Sequence, residues 1–241
     1  MTLLESDGRW YMYTSNLFHR GWAIFDVTDP TDPSMVKFID GPDNTGTWQV
    51  DLADGLLITS FDRLSEVWGG DPERSYATDA AWIWSLDDPL NPEHIGTVTT
   101  GGGTHRNAYF GGDYLHLAAN LPGYRGELYM IVDISDPTNP REVGRFATEG
   151  MKETDEAPYD QGRLHGPADV RGDLAFLPMG GSGFIIADIS DPASITEISR
   201  LDFGPLYGPT HLSVHMTTPY LERGLAIVNG EAIAENCNEA L

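Results

Sequence analysis

The 241-residue sequence predicts an all-β protein built from four-stranded antiparallel sheets that recur along the chain. Three observations predict it. A seven-residue pattern ending in Asp-Pro occurs four times. Runs of β-branched and aromatic residues flank every copy, which suits pleated strands. No segment carries the 3.6-residue apolar period of a helix, and 27 glycines and 16 prolines supply turns in quantity.

The pattern reads Ile24-Phe-Asp-Val-Thr-Asp-Pro30, Ile83-Trp-Ser-Leu-Asp-Asp-Pro89, Ile131-Val-Asp-Ile-Ser-Asp-Pro137 and Ile186-Ala-Asp-Ile-Ser-Asp-Pro192. Three copies continue as Asp-Pro-x-x-Pro, to Pro33, Pro92 and Pro140; the fourth has Ile195 in that place. Each copy is a strand with its own stop, because proline donates no backbone hydrogen bond and the preceding Asp can close an Asx turn. A strand is expected after each stop, over 35–39, 94–98, 142–146 and 196–201. Another is expected before each copy, over 10–14, 56–61, 114–118 and 174–177. One more, further upstream, is expected to start near Trp48, His105, His165 and His211. Four strands in about 54 residues make a propeller blade. The expected architecture is therefore a β-propeller, a single domain over 1–241 with repeat units at about 10–40, 47–99, 104–147, 164–202 and 210–230. The first unit lacks an inner strand in this scheme and the last stops after residues 225–228. Either a small ring closes through the C-terminal strand or the chain is an arc of a larger ring, and the second is favoured. An unclosed array exposes sheet edges through which copies can associate.

The repeats resemble the LVIVD repeat, whose name spells the strand written here as Met130-Ile131-Val132-Asp133-Ile134 and followed by Ser-Asp-Pro-x-x-Pro. The resemblance covers about residues 20–230, with Ser85 standing where the other copies have Asp. It implies a propeller of bacterial or archaeal type, periplasmic, secreted or on the cell surface. Residues 1–10 show no signal peptide.

A formal net charge of −23, from 37 acidic and 14 basic residues, argues against nucleic acid as a partner. No apolar run is long enough for membrane insertion. Cys237 is the only cysteine, which excludes an intrachain disulfide. Gly101-Gly-Gly-Thr-His-Arg106 lacks the last glycine of a dinucleotide fingerprint, and Gly180-Gly-Ser-Gly183 lacks the spacing of a nucleophile elbow.

The candidate site comes from register. His105, His165 and His211 occupy one repeat position, with Trp48 in the same place of an earlier unit. The first strand of a blade lines the central channel, so three imidazoles from successive blades are expected to converge there. They are the expected ligands of a divalent or transition metal: zinc, copper, iron or manganese. The same register also suits histidines that merely fasten one blade to the next. Four residues further along lie Tyr109, Asp169 and His215, expected to form a deeper channel layer with acid–base or substrate-contact roles. The insertion 147–163, acidic and poor in apolar residues, is expected to be a lid or a disordered loop, and the loop 63–79 with Trp68 a second wall. His19, His94 and His116 are expected to be structural or surface residues. The expected function is metal-dependent action on a small-molecule substrate, of hydrolase, lyase or oxidase type. The competing reading is a non-catalytic surface scaffold for a protein or glycan partner.

Overall fold

In the computed structural model, which describes residues 1–17, 19–74, 79–203 and 213–231, the chain is all-β. Strands β1 (Thr2–Ser6), β2 (Arg9–Ser15), β3 (Trp22–Asp26) and β4 (Ser34–Ile39) form the first sheet in that spatial order. A short ribbon pairs β5 (Thr45–Gly46) with β8 (Asp62–Arg63). The second sheet is made by β6 (Val50–Ala53), β7 (Leu56–Ser60), β9 (Asp79–Ser85) and β10 (Glu93–Thr99). The third holds β11 (Thr104–Ala108), β12 (Tyr114–Ala119), β13 (Leu128–Asp133) and β14 (Arg141–Phe146). The fourth holds β15 (Asp169–Arg171), β16 (Leu174–Pro178), β17 (Phe184–Asp188) and β18 (Thr196–Leu201). A two-stranded sheet of β19 (Ser213–Tyr220) and β20 (Leu225–Glu231) follows. Within the four-stranded sheets every pairing is antiparallel and follows chain order, with β8 alone set aside between β7 and β9, which is the meander of a propeller blade.

The first sheet corrects one expectation: it has its inner strand, β1. The local cause is Asp7-Gly8, whose φ values of 51° and 74° supply the two left-handed residues that a tight hairpin needs. Asp54-Gly55 does the same between β6 and β7, at 50° and 75°. The fourth sheet differs as well. Its inner strand begins at Asp169, four residues after His165. Pro167, which has no N–H to donate, lies between the two.

The Asp-Pro turns close as their chemistry requires. The carboxylates of Asp29, Asp88, Asp136 and Asp191 accept the N–H two residues on, at 2.9, 2.9, 3.1 and 3.0 Å. Asp26, Asp133 and Asp188 make the same bond one step earlier, to Thr28, Ser135 and Ser190. In the departing copy Ser85 Oγ takes that place and accepts from the Asp87 N–H at 3.2 Å. These bonds favour the charged carboxylate, so Asp133, held by Ser135 and then Arg141, is lowered to about 2.

The same turns dock one unit onto the next. A Cβ built on Gly96 of β10 would overlap the Pro137 carbonyl, and one on Gly144 of β14 would overlap the Pro192 carbonyl. The outer strands of the second and third sheets thus carry a glycine where the following unit's proline turn presses in. In the first pair of units Tyr13 Oη instead donates to the Pro89 carbonyl at 2.9 Å. Between the sheets lie continuous apolar layers. Tyr13, Trp22 and Ile24 of the first sheet meet Val50, Leu57 and Trp84 of the second. A larger layer runs from Ile58 and Ile83 through Leu115, Leu117 and Ile131 to Leu177 and Ile185. Phe176 and Phe184 pack against Val214 of β19. Burial between consecutive sheets is the main stabilising term, as in other stacked-repeat folds.

Candidate functional site

Backbone links between consecutive units place one side chain per unit at the inner end of the stack. Thr104 N–H bonds the Phe61 carbonyl at 2.8 Å, Leu164 N–H bonds the Glu127 carbonyl at 2.7 Å, and Val214 N–H bonds the Gly180 carbonyl at 3.2 Å. Thr47 bridges Leu17 in the same sense. The residue after each linking position is Trp48, His105, His165 or His215. Their rings form one ladder. Trp48 and His105 have centroids 5.1 Å apart, His105 and His165 stack at 4.4 Å and 14°, and His165 meets His215 at 4.9 Å and 55°. Trp68, half-exposed on a single 3-10 turn, extends the row by packing 5.5 Å from Trp48.

The pairing register explains how strands aim these rings. In β11 the ladder passes from Thr104 to Arg106, skipping His105, and in β19 it passes from Val214 to Met216, skipping His215. Each histidine is the extra residue of a β-bulge, a device that turns a side chain out of the alternating pattern. The expected deeper layer containing His215 is therefore corrected: a bulge breaks the even four-residue count, and the His215 ring lies beside His165. His211 lies outside the described residues.

Around His105 the structure adds two carboxylates that the repeat register did not indicate. Asp62 of β8 accepts from His105 Nδ1 at 3.0 Å. Its other oxygen accepts from Asn120 Nδ2 at 3.2 Å and from the Arg63 N–H at 2.8 Å. Glu127, just before β13, is fixed through its carbonyl bond to Leu164. One ligand atom from each of Asp62, His105 and Glu127 lies within 4.8 Å of the other two. His105 and Glu127 are each only 8% exposed. Their Nε2 and Oε2 atoms are buried and have no hydrogen-bond partner. Burial pushes the Glu127 carboxyl up; His105 and Arg163 oppose the effect and Asp62 adds to it. Burial, reinforced by His105, Arg163, His215 and Arg106, pushes His165 down to about 2, so it is a neutral imidazole at ordinary pH.

Tyr109 and Asp169 are placed elsewhere. Tyr109 follows β11 and donates to the Gly112 carbonyl at 3.2 Å, with its hydroxyl pushed up by burial and then by Asp54 and Asp113. Asp169 opens β15 and pairs with Arg171 at 2.9 Å. Neither shares a described contact with the ladder. His94 contacts Gly96 and Thr97 within its own sheet, and His116 is buried against Tyr129 Oη at 2.8 Å.

The insertion 147–163 is tied to the sheets beside it by buried and hydrogen-bonded contacts. Met151 is fully buried, and Arg125 donates to the carbonyls of Gly150, Lys152 and Glu153. Ser182 ties its ends by bonding Thr148 and Asp160. Asp62 and Glu127 were the residues missed from sequence. Among 37 acidic positions, nothing in their neighbours in the chain marks them out.

Comparison with known proteins agrees with this architecture. A crystal structure of a protein from Lactobacillus plantarum aligns with TM-score 0.58 at 12% identity, covering 92% of this chain and 67% of its own. That likeness concerns the fold alone. A functionally unknown protein from Desulfotomaculum acetoxidans aligns at TM-score 0.40 and 10% identity, over 78% of this chain and 65% of its own. None of the curated proteins matches the chain. The model of the LVIVD repeat matches residues 111–148 and 168–202, which hold the outer three strands of the third sheet and all four of the fourth. Residues 111–148 and 168–202 are thus similar to the LVIVD repeat, and the successive four-stranded antiparallel sheets are those of a β-propeller.

Proposed function

We propose that this propeller binds a divalent metal ion between Asp62, His105 and Glu127 and acts on a small molecule at that centre. One observation carries the reading: ligand atoms of three side chains converge, and two of those side chains also hold a buried atom without a hydrogen-bond partner, His105 Nε2 and Glu127 Oε2. Leaving such atoms unsatisfied is costly, and an ion ligated by both removes the cost. Two carboxylates and an imidazole form a donor set suited to zinc, iron or manganese. The Asp62 carboxylate, 3.0 Å from Nδ1, holds the His105 ring in place. A metal held by three protein ligands supplies Lewis acidity and an activated water. His165 and His215 line the continuation of the site, where the neutral His165 ring can accept a hydrogen bond.

The test is metal stoichiometry. Purified protein incubated with Zn²⁺ or Mn²⁺ and desalted should retain about one ion per chain by elemental mass spectrometry. His105→Ala and Glu127→Gln should each retain far less, with circular dichroism unchanged. Native protein that retains no metal, or variants that retain as much as native, would end this reading.

A scaffold role has one observation in its favour. Strand β18 is exposed along its whole length, and Ile198, Leu201, Met216 and Ile227 place apolar surface on the last two sheets. In that case the ladder histidines only fasten units together, and their substitution lowers the melting temperature without changing metal content.

A further inference from the structure

Arg163 differs from most arginines of this acidic chain, and from the exposed Arg223 by its partial burial. Arg9, Arg20, Arg74, Arg141, Arg145, Arg171 and Arg200 all pair with carboxylates. Arg125 is held by three carbonyls, and Arg106 donates to the Trp48 carbonyl at 3.0 Å. Arg163 is half-buried, yet among the described residues its guanidinium makes neither an ion pair nor a hydrogen bond. Burying part of a guanidinium without a partner is unfavourable, and 37 acidic residues offer ample opportunity to pair it.

The backbone at Arg163 is fixed from both sides. Its own N–H bonds the Met179 carbonyl at 3.3 Å, the next residue's N–H bonds the Glu127 carbonyl at 2.7 Å, and the His165 N–H bonds the Arg163 carbonyl at 3.0 Å. A Cβ on Gly126 would meet Tyr159 Oη first and then Arg163 Cβ, and one on Gly180 would meet the Gln161 and Arg163 carbonyls and then Arg163 Cγ. The charge reaches the site: it acts on both the Glu127 carboxyl and the His165 ring. Glu127 and Arg163 nevertheless do not satisfy each other, since Glu127 Oε2 has no hydrogen-bond partner. A rigidly mounted, unpaired guanidinium beside a cluster of metal-ligand type is suited to a planar or tetrahedral oxyanion, which it can grip through two parallel N–H bonds.

We infer that the small molecule handled at this centre is an oxyanion, a carboxylate or a phosphate, and that Arg163 binds it next to the metal. The inference rests on the metal reading above and names its substrate class. It accounts for a local positive group in a molecule whose overall field repels anions. The ion and Arg163 would draw the anion into the mouth of the site, with the charged carboxylates Asp62 and Glu127 shielded by ligation.

Calorimetric titration of the whole chain decides it. Acetate, inorganic phosphate and neutral acetamide are titrated into Zn²⁺-loaded and metal-free protein, for native, Arg163→Gln and Arg163→Lys. At least one of the two anions should bind loaded native protein while acetamide does not. Its affinity should fall at least tenfold in Arg163→Gln, as expected for loss of a charge-assisted contact. Arg163→Lys, which retains the charge without the fork, should recover part of the loss. Zn²⁺ stoichiometry should be the same in all three proteins. Equal anion affinity in native and Arg163→Gln, binding of neither anion by native protein, or acetamide binding as well as acetate would overturn the inference. If native protein binds no Zn²⁺, the metal reading fails alone: the metal-free titrations still decide Arg163, through an anion that binds native protein but not Arg163→Gln.

Discussion

Replacing His116 should remove a defined part of the acid sensitivity of this fold. Burial in the third sheet pushes His116 from the ordinary 6.5 down to about 4. The folded state therefore keeps the ring neutral between pH 6.5 and 4, while the unfolded chain takes up a proton. Stability contributed by the neutral ring is complete above pH 6.5 and is lost as pH falls toward 4. With these two values, lowering the pH from 8 to 5 costs about 2 kcal/mol through this residue alone. His116→Phe removes the titration but leaves Tyr129 Oη without its 2.8 Å partner, lowering stability by ~1–3 kcal/mol at every pH. His116→Gln removes the titration and keeps a side chain able to bond Tyr129. Urea unfolding at pH 8 and pH 5 reads both effects, and the quantity of interest is the difference between pH values within each protein. Native protein should lose about 2 kcal/mol more than either variant over that interval. Identical losses in all three would show that the ring is already protonated, or solvated, in the folded state, and would refute the reasoning.

Asp51 should act in the same pH interval with the opposite sign. Burial raises its carboxyl to about 6 despite bonds from Gln49 and Asn107, so its contribution to stability falls as pH rises through 4 to 6. Asp51→Asn should then make unfolding more acid-sensitive than in native protein, by about 1 kcal/mol between pH 7 and 5; an unchanged pH profile in the variant counts against it. Gly144→Ala tests the docking of the proline turns. The added methyl meets the Pro192 carbonyl, so the melting temperature should drop by several degrees, whereas Gly172→Ala, with nothing near its Cβ, should cost only the strain of its positive φ. A Gly144→Ala protein as stable as native would mean that the third and fourth sheets are not held in this register.

Much of this architecture is local chemistry and could be read from the chain. An Asp followed by a proline ends a strand wherever it stands, and the four copies do so through the same Asx bond. Even the departing copy conforms, because a Ser85 hydroxyl accepts the same hydrogen bond as a carboxylate. The inner strand of the first unit was missed: Asp7-Gly8 supplies its hairpin, but its sequence shares nothing with the later inner strands. Register across units was not legible. Counting along the chain aligned His211 with His105 and His165, but a bulge is a property of two strands together, and only the folded pair shows that β19 skips His215. Asp62 and Glu127 lie 65 residues apart in sequence, ordinary acidic residues among many. They become a site because β8 crosses to Gly103 and because the Leu164 N–H seizes the Glu127 carbonyl, contacts between units that no single repeat encodes. The repeat sequence by itself determined how each sheet is made; the packing of sheet on sheet decided which side chains share a buried space, because burial and donor convergence are properties of neighbours distant in sequence.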